Sequence, residues 1–106
     1  MQINRTRGDT SPDVIFVSDG RDVVDLTGCS ALMTLNTVMN PTDTTTQLYQ
    51  VSGVFNLVRG SISFSPTEAQ ANLLGLFYYD IQLTESNGTK RTLIKDAYLF
   101  TQDITK

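Results

Sequence analysis

The fold of this chain is decided by residues 75–100, which read GLFYYDIQLTESNGTKRTLIKDAYLF. Apolar and polar side chains alternate in the first half, and this two-residue period is that of a strand with one buried face. The alternation predicts a core face made of Phe77, Tyr79, Ile81 and Leu83. Asn87-Gly88 then favours a type I′ turn, whose two central residues both need positive φ. The stretch is therefore predicted to form a β-hairpin.

The returning strand contains one irregularity. A regular strand would place Asp96 on the same face as Ile94, Tyr98 and Phe100. Because a buried, unpaired carboxylate is unfavourable, we expect a β-bulge near Lys95 to Ala97 that moves the charge out of the core, in preference to the alternative of a buried functional carboxylate.

The rest of the chain reads as short strands separated by turn residues. Residues 1–8 are expected to form an edge strand or an extended arm. Val14–Val17 is expected to be a strand that is either buried on both faces or part of a sandwich. A longer strand is predicted from Cys29 to about Val38, and further short strands are predicted within 47–65.

One short helix is predicted before the hairpin. Ser65 is expected to be its N-cap, with Pro66 at the first helical position and Glu68 closing a capping box. Gly75 is placed to end the helix with a left-handed residue.

Together these segments predict about seven or eight strands and one helix within a single domain over residues 1–106. Threonine-rich strands separated by turn residues are typical of an antiparallel β-sandwich of immunoglobulin-like type. The cysteine and tryptophan marks of antibody domains are missing, since the chain has one cysteine and no tryptophan. The expected fold class is therefore an all-β, immunoglobulin-like antiparallel sandwich.

The composition argues against several partners. The formal net charge is −3, whereas a nucleic-acid binder needs clustered cations to displace counterions. The N-terminus lacks the apolar core of a signal peptide, and no segment has the ~18 apolar residues of a membrane span. We expect no nucleic acid, no membrane partner and synthesis in the cytoplasm. Cys29 is expected in the core, with no intramolecular disulfide.

The residue types also argue against catalysis. The chain has no histidine, which removes the usual general base near neutral pH and the commonest zinc ligand. A glycosidase-like pair would need two of Asp80, Glu85 and Asp96 to converge across a cleft, and the sequence does not indicate this. We expect no enzyme, no cofactor and no catalytic or metal site.

Five aspartates crowd the N-terminal quarter, at Asp9, Asp13, Asp19, Asp22 and Asp25. Such oxygen ligands on loops can hold calcium. Alternatively, they are turn formers that bond nearby backbone amides. The spacing matches no EF-hand loop, which favours turns, but the sequence leaves calcium binding open.

Leu76 and Tyr78 are the candidate protein-contact residues. The alternation places them with Asp80 on the outer face of the first hairpin strand, where leucine and tyrosine make a modest docking patch. The alternative is that both are half-covered surface residues. Tyr49 and Tyr78 are also the tyrosines nominated to line a glycan groove.

The order of turns and strands resembles a known family. It runs from Gly8-Asp9-Thr10 through Ser18-Asp19-Gly20, Asp25-Leu26-Thr27-Gly28 and the helix start Ser65–Gln70 to the hairpin. This pattern is similar to small immunoglobulin-like modules of tailed bacteriophages, typified by the N-terminal domain of the baseplate upper protein and by related head-fibre and tail domains. The likeness spans nearly the whole chain. Asp96-Ala97-Tyr98 departs from it, because a glycine is expected before the aromatic residue.

The resemblance implies a virion structural protein, a non-catalytic attachment or adaptor module that docks on tail or baseplate proteins. Its partners would be other virion proteins or copies of itself in a symmetric assembly. Because the chain stops at Lys106, soon after the last strand, we expect a small adaptor or decoration subunit. The alternatives are a capsid decoration or head-fibre-base protein and, from another class, a glycan-binding adhesion module.

Overall fold

The computed structural model describes residues 2–17 and 26–102. These residues form eight strands and one short helix: β1 Ile3–Thr6, β2 Asp13–Phe16, β3 Ser30–Asn36, β4 Gln47–Ser52, β5 Val54–Asn56, β6 Ser61–Phe64, α1 Glu68–Ala71, β7 Gly75–Thr84 and β8 Lys90–Thr101. The turn predicted at Ser18-Asp19-Gly20 lies outside the described residues.

The strands form two sheets that face each other. The larger sheet has the order β1-β8-β7-β3-β4, and the smaller sheet has the order β2-β6-β5. All pairs are antiparallel except β1 with β8. In immunoglobulin terms, β2, β6 and β5 take the places of strands B, E and D, while β8, β7, β3 and β4 take those of G, F, C and C′. The predicted immunoglobulin-like sandwich with one short helix is confirmed.

The largest core side chains come from the β7–β8 hairpin. Tyr98 stacks on Phe100 with ring centroids 4.7 Å apart, and Tyr79 meets Tyr98 edge to face at 5.9 Å. Such aromatic pairs contribute about 0.5–1.5 kcal/mol beyond the area they bury. The predicted core face is confirmed, since Tyr79, Ile81 and Leu83 are buried and Phe77 packs against them.

The hairpin turn has a different type from the one predicted. The Gly88 amide donates to the Glu85 carbonyl at 2.9 Å, and the Glu85 amide donates to Thr89. Gly88 has a φ of +90°, whereas Asn87 does not have positive φ. The type I′ expectation is therefore wrong, because only the glycine is left-handed. Asn87 instead accepts the Thr89 amide with its side chain.

The bulge of β8 is also displaced from its predicted position. Ile81 pairs with Ile94 while Gln82 pairs with Thr92, so the extra residue is Leu93. Lys95 to Ala97 pair regularly with Tyr78 to Asp80. The prediction of a bulge at these residues is therefore wrong. Asp96 thus shares a strand face with Tyr98 and is partly exposed. Because the carboxylate of Asp96 reaches solvent, no bulge is needed to move it out of the core.

Helix α1 begins two residues later than predicted. Its N-cap is Thr67, whose hydroxyl accepts the Gln70 amide while the Gln70 side chain accepts the Thr67 amide. The capping box is present, but Ser65 is not its cap. The helix ends at the C-cap Asn72, and Gly75 uses its positive φ of +109° to begin β7 instead.

Gly53 marks the place where the chain leaves the larger sheet for the smaller one. A Cβ atom at this position would lie 2.5 Å from Cγ2 of Ile62 and 3.0 Å from the Phe64 ring. Only glycine can pass this close to the core, so the crossing between β4 and β5 depends on a missing side chain.

A buried charged cluster joins the two sheets. The Nε atom of Arg5 on β1 donates to the Tyr98 hydroxyl at 2.6 Å, and that hydroxyl donates to Oδ2 of Asp13 on β2 at 2.6 Å. A second Arg5 nitrogen donates to Oδ1 of Asp13 at 2.9 Å. Arg5 also donates to the carbonyls of Asp9 and Ser11. We call Arg5, Tyr98 and Asp13 the inter-sheet cluster.

Of the two forms expected for residues 1–8, the structure has the edge strand.

Candidate protein-contact surfaces

Leu76 and Tyr78 lie together on the outer face of the larger sheet. Leu76 is 52% exposed, and Tyr78 is half-buried. Their partners across the sheet are Leu99 and Ala97 of β8, which continue the apolar surface. The structure therefore brings the two predicted contact residues to one place.

A shallow depression adjoins Tyr78. The loop between β3 and β4 contributes Val38, Met39 and Pro41 to its lining, and Val38 and Met39 are both exposed. Lys95 holds this loop beside the sheet, because its ammonium group donates to Oδ1 of Asn40 at 2.6 Å. We call the surface formed by Leu76, Tyr78, Asp80, Val38 and Met39 the large-sheet patch.

Asp80 gives the large-sheet patch a charge that its cross-strand neighbour Lys95 offsets only in part. Its carboxylate is half-buried and makes no hydrogen bond or ion pair with any residue that the structure describes. Burial raises the pKa of this carboxyl above its ordinary value, and the charge of Lys95 offsets only part of that rise. Ionisation of this carboxyl therefore costs the fold some stability.

A second apolar surface covers the outer face of the smaller sheet. Phe16 on β2 is 60% exposed and Val54 on β5 is 70% exposed. Val58 in the turn between β5 and β6 is 92% exposed, and the Arg59 guanidinium lies over the Phe16 ring at 5.6 Å. We call this surface the small-sheet patch; its members are Val14, Phe16, Val54, Leu57, Val58 and Arg59.

Sequence reasoning missed the small-sheet patch. Val14–Val17 is a continuous apolar run, and such a run fits a strand that is buried on both faces. In the structure Ile15 points into the core and Asp13 points into the inter-sheet cluster, while Val14 and Phe16 face outward. The patch could have been predicted from Leu57-Val58 beside Arg59-Gly60. Two apolar residues in a hairpin turn lie too far from the core to be buried and are therefore exposed.

The two tyrosines nominated for a glycan groove do not meet. Tyr49 pairs with Leu35, as Tyr79 does, so Tyr49 points toward the core. Burial raises the pKa of its hydroxyl to about 12. Tyr78 pairs with Asn36 and faces outward. The two rings therefore lie on opposite faces of the sheet, and no groove joins them.

The N-terminal aspartates that the structure describes act as turn formers and ion-pair partners. Asp9 accepts the Ser11 amide at 3.0 Å, and this bond lowers the pKa of its carboxyl. Asp13 belongs to the inter-sheet cluster. Asp19, Asp22 and Asp25 lie outside the described residues. Within residues 2–17 and 26–102, no group of three or more metal-ligating side chains comes together. Cys29 is unpaired and packs against the core.

Comparisons with known proteins add little to this geometry. No family model and no curated protein matches the sequence. Among solved structures, extracellular domains 3–5 of Drosophila OTK are similar, with 13% identity, 93% of this chain covered and a TM-score of 0.36. This chain spans only 32% of that one. No helix among the described residues is long and apolar enough to span a membrane. The candidate contact surfaces of this immunoglobulin-like domain are therefore identified from the structure alone, as the large-sheet patch and the small-sheet patch.

Proposed function

We propose that this chain is a non-catalytic attachment module of a bacteriophage virion, which docks on tail or baseplate proteins through the large-sheet patch. The observation that carries the proposal is the half-exposed Leu76 beside Tyr78 and the unpaired Asp80. Apolar and aromatic side chains are typical of the centre of a protein interface, and a carboxylate beside them can accept hydrogen bonds from a cationic partner.

The virion setting rests on the resemblance of the turn and strand pattern to small phage modules. An attachment role agrees with a chain that has no histidine and with the N-terminal Asp9 and Asp13, which are engaged in a turn and an ion pair. A module of this kind is made in the host cytoplasm and then assembled into the particle. The glycan-binding alternative loses its support, because Tyr49 and Tyr78 lie on opposite sheet faces.

The proposal is tested on particles of the phage that encodes the chain. Mass spectrometry of purified particles should detect the chain at a copy number that matches a symmetric tail feature. Cryo-electron microscopy would separate this site from a capsid decoration or head-fibre base. Absence of the chain from purified particles would overturn both locations.

A matched pair of variants tests the contact surface. Leu76→Glu should deplete the chain from particles, because a charge would enter the apolar centre of the patch. Thr92→Glu places the same charge at an exposed position toward the other end of the sheet and should leave incorporation unchanged. Equal incorporation of the two variants would mean that the large-sheet patch is not the docking surface.

A further inference from the structure

The small-sheet patch is a cluster of exposed apolar side chains and differs from the isolated apolar residues found on most protein surfaces. Five of its apolar side chains are each at least 45% exposed, namely Val14, Phe16, Val54, Leu57 and Val58, and a cluster of this kind marks a contact surface more often than isolated exposed residues do. Val58 is almost fully exposed, so the fold itself gains almost nothing from an apolar side chain there. Together with Phe16 and Val54 on the same surface, Val58 is available for contact with another molecule.

The two patches lie on opposite faces of the sandwich and carry opposite charges. Arg59 is the charged member of the small-sheet patch. Asp80 is the charged member of the large-sheet patch, and Asp43 lies in the adjoining hollow of the same sheet face. Lys95 pairs with Asp80 across the sheet and donates to the neutral Asn40, so this face carries two carboxylates and one ammonium group. Facing apolar surfaces with complementary charges favour one orientation of contact and disfavour the others.

A like-to-like contact would serve these charges less well. Two small-sheet patches brought together would bury two guanidinium groups, and two large-sheet patches would bury two carboxylates. Contact between one patch of each kind brings Arg59 to Asp80, where a guanidinium can bind a carboxylate through two hydrogen bonds. The chain itself therefore carries both halves of a complementary interface.

We propose that copies of this chain stack head to tail, with the small-sheet patch of one copy on the large-sheet patch of the next. Arg59 of one copy then pairs with Asp80 of its neighbour, and Phe16 and Val58 cover Leu76 and Tyr78. This inference rests on the proposed function, because in an open stack the large-sheet patch of the terminal copy stays free to dock on a tail or baseplate protein. A contact between two different patches of one chain generates a ring when the rotation closes and an open stack when it does not.

The interface would be weak. Patches of this size give a buried area at the low end of specific contacts, below about 1,200 Å² in total. The association is therefore expected at the high local concentration of a particle, and in solution between about 10 µM and 1 mM.

Charge exchange tests the stacking directly. In sedimentation equilibrium, the average mass of the wild-type chain should rise with concentration past that of a dimer. Arg59→Glu alone and Asp80→Arg alone should each stay monomeric. An equimolar mixture of the two should associate again in alternation, because each junction between unlike variants pairs opposite charges, either the native Arg59 and Asp80 or the two substituted residues. The double variant should stack again with the charges reversed.

Several controls keep the test decisive. Arg91→Glu removes an exposed arginine outside both patches and should leave stacking unchanged. Circular dichroism reports whether each variant is folded. If Asp80→Arg does not fold, the pair Phe16→Glu and Leu76→Glu repeats the design, with each variant monomeric and their mixture forming a heterodimer.

Three results would overturn the stacking: a wild type that is monomeric at 1 mM, a mass that saturates at a dimer, or a mixture that does not associate. The outcome is separable from that of the attachment role. A chain that is monomeric in solution but present in purified particles loses the stacking and keeps the attachment. A chain that stacks but is missing from particles does the reverse.

Discussion

The inter-sheet cluster and Asp80 show two ways in which this fold treats a charge removed from water. Arg5 is almost fully buried, and its donors reach a tyrosine hydroxyl, a carboxylate and two backbone carbonyls. Burial would lower the pKa of Arg5, but Tyr98 and Asp13 outweigh burial and raise it. Asp80 has no such partners among the described residues. The charge of Arg5 therefore stabilises the fold, whereas the charge of Asp80 is available to a binding partner.

The difference lies in which face of the sheet each charge occupies. Arg5 and Tyr98 point between the sheets, where an unpaired charge would be far more costly than a paired one. Asp80 points outward, where solvent reduces the penalty and a partner can reach it. Stability and binding therefore make opposite demands on the two groups, and substitutions should separate them.

The largest effect is expected from Asp13→Ala. The substitution leaves the Arg5 guanidinium buried without its carboxylate, which should lower the free energy of unfolding by about 3 kcal/mol. Urea denaturation measures this loss. Asp9→Ala is the matched control, because that exposed side chain bonds Ser11 and not Arg5. Its loss should stay within about 1 kcal/mol, and equal losses in both variants would contradict the role of the cluster.

A smaller loss is expected from Tyr98→Phe. The ring and its stacking on Phe100 remain, but Nε of Arg5 and Oδ2 of Asp13 each lose a hydrogen-bond partner. The expected decrease is about 1–3 kcal/mol in the free energy of unfolding. Tyr78→Phe, on the outer face, should change stability by less than about 0.5 kcal/mol. A Tyr98→Phe variant as stable as Tyr78→Phe would show that the cluster adds nothing.

Asp80→Asn should act in the opposite direction, with a small gain in stability at pH 7. A carboxyl whose pKa is raised on folding destabilises the fold when it is ionised, and protonation relieves this effect. The advantage of the variant should therefore shrink as the pH falls toward the ordinary pKa of 3.8. Thermal unfolding of both proteins across this pH range measures the difference. An advantage that grows toward acidic pH would contradict the unpaired carboxylate.

The smallest effect on stability is expected from Leu76→Glu in the isolated chain. Since Leu76 is half exposed, the free energy of unfolding should change by less than about 0.5 kcal/mol. Urea denaturation is again the measurement. A large loss would place Leu76 in the core and remove it from the docking surface.

Local sequence signals predicted the elements better than the contacts between them. The alternation of β7 and the Asn87-Gly88 dipeptide were sufficient for the hairpin, and the position of α1 was predicted to within two residues. The turn type was not predicted, because a left-handed Gly88 satisfies more than one kind of hairpin. The bulge position was not predicted because the penalty assigned to Asp96 depends on its exposure, which the sequence does not reveal.

The candidate site was half predictable. Leu76 and Tyr78 follow from the strand period, but the small-sheet patch does not, since Val14–Val17 reads equally well as a buried strand. The inter-sheet cluster was invisible for another reason. Arg5 and Tyr98 are 93 positions apart, and no local pattern marks an arginine for burial against a distant tyrosine.

The pairing of β1 with β8 also has a consequence for biosynthesis. Both the parallel pairing and the Arg5–Tyr98 bond join the beginning of the chain to its last described strand. They cannot form on the ribosome until β8 has emerged, so Ile3 and Arg5 stay solvated while the intervening strands are made. Closing such distant contacts is slow compared with forming a local hairpin. The β1–β8 edge of the larger sheet is therefore expected to be the last part of that sheet to form.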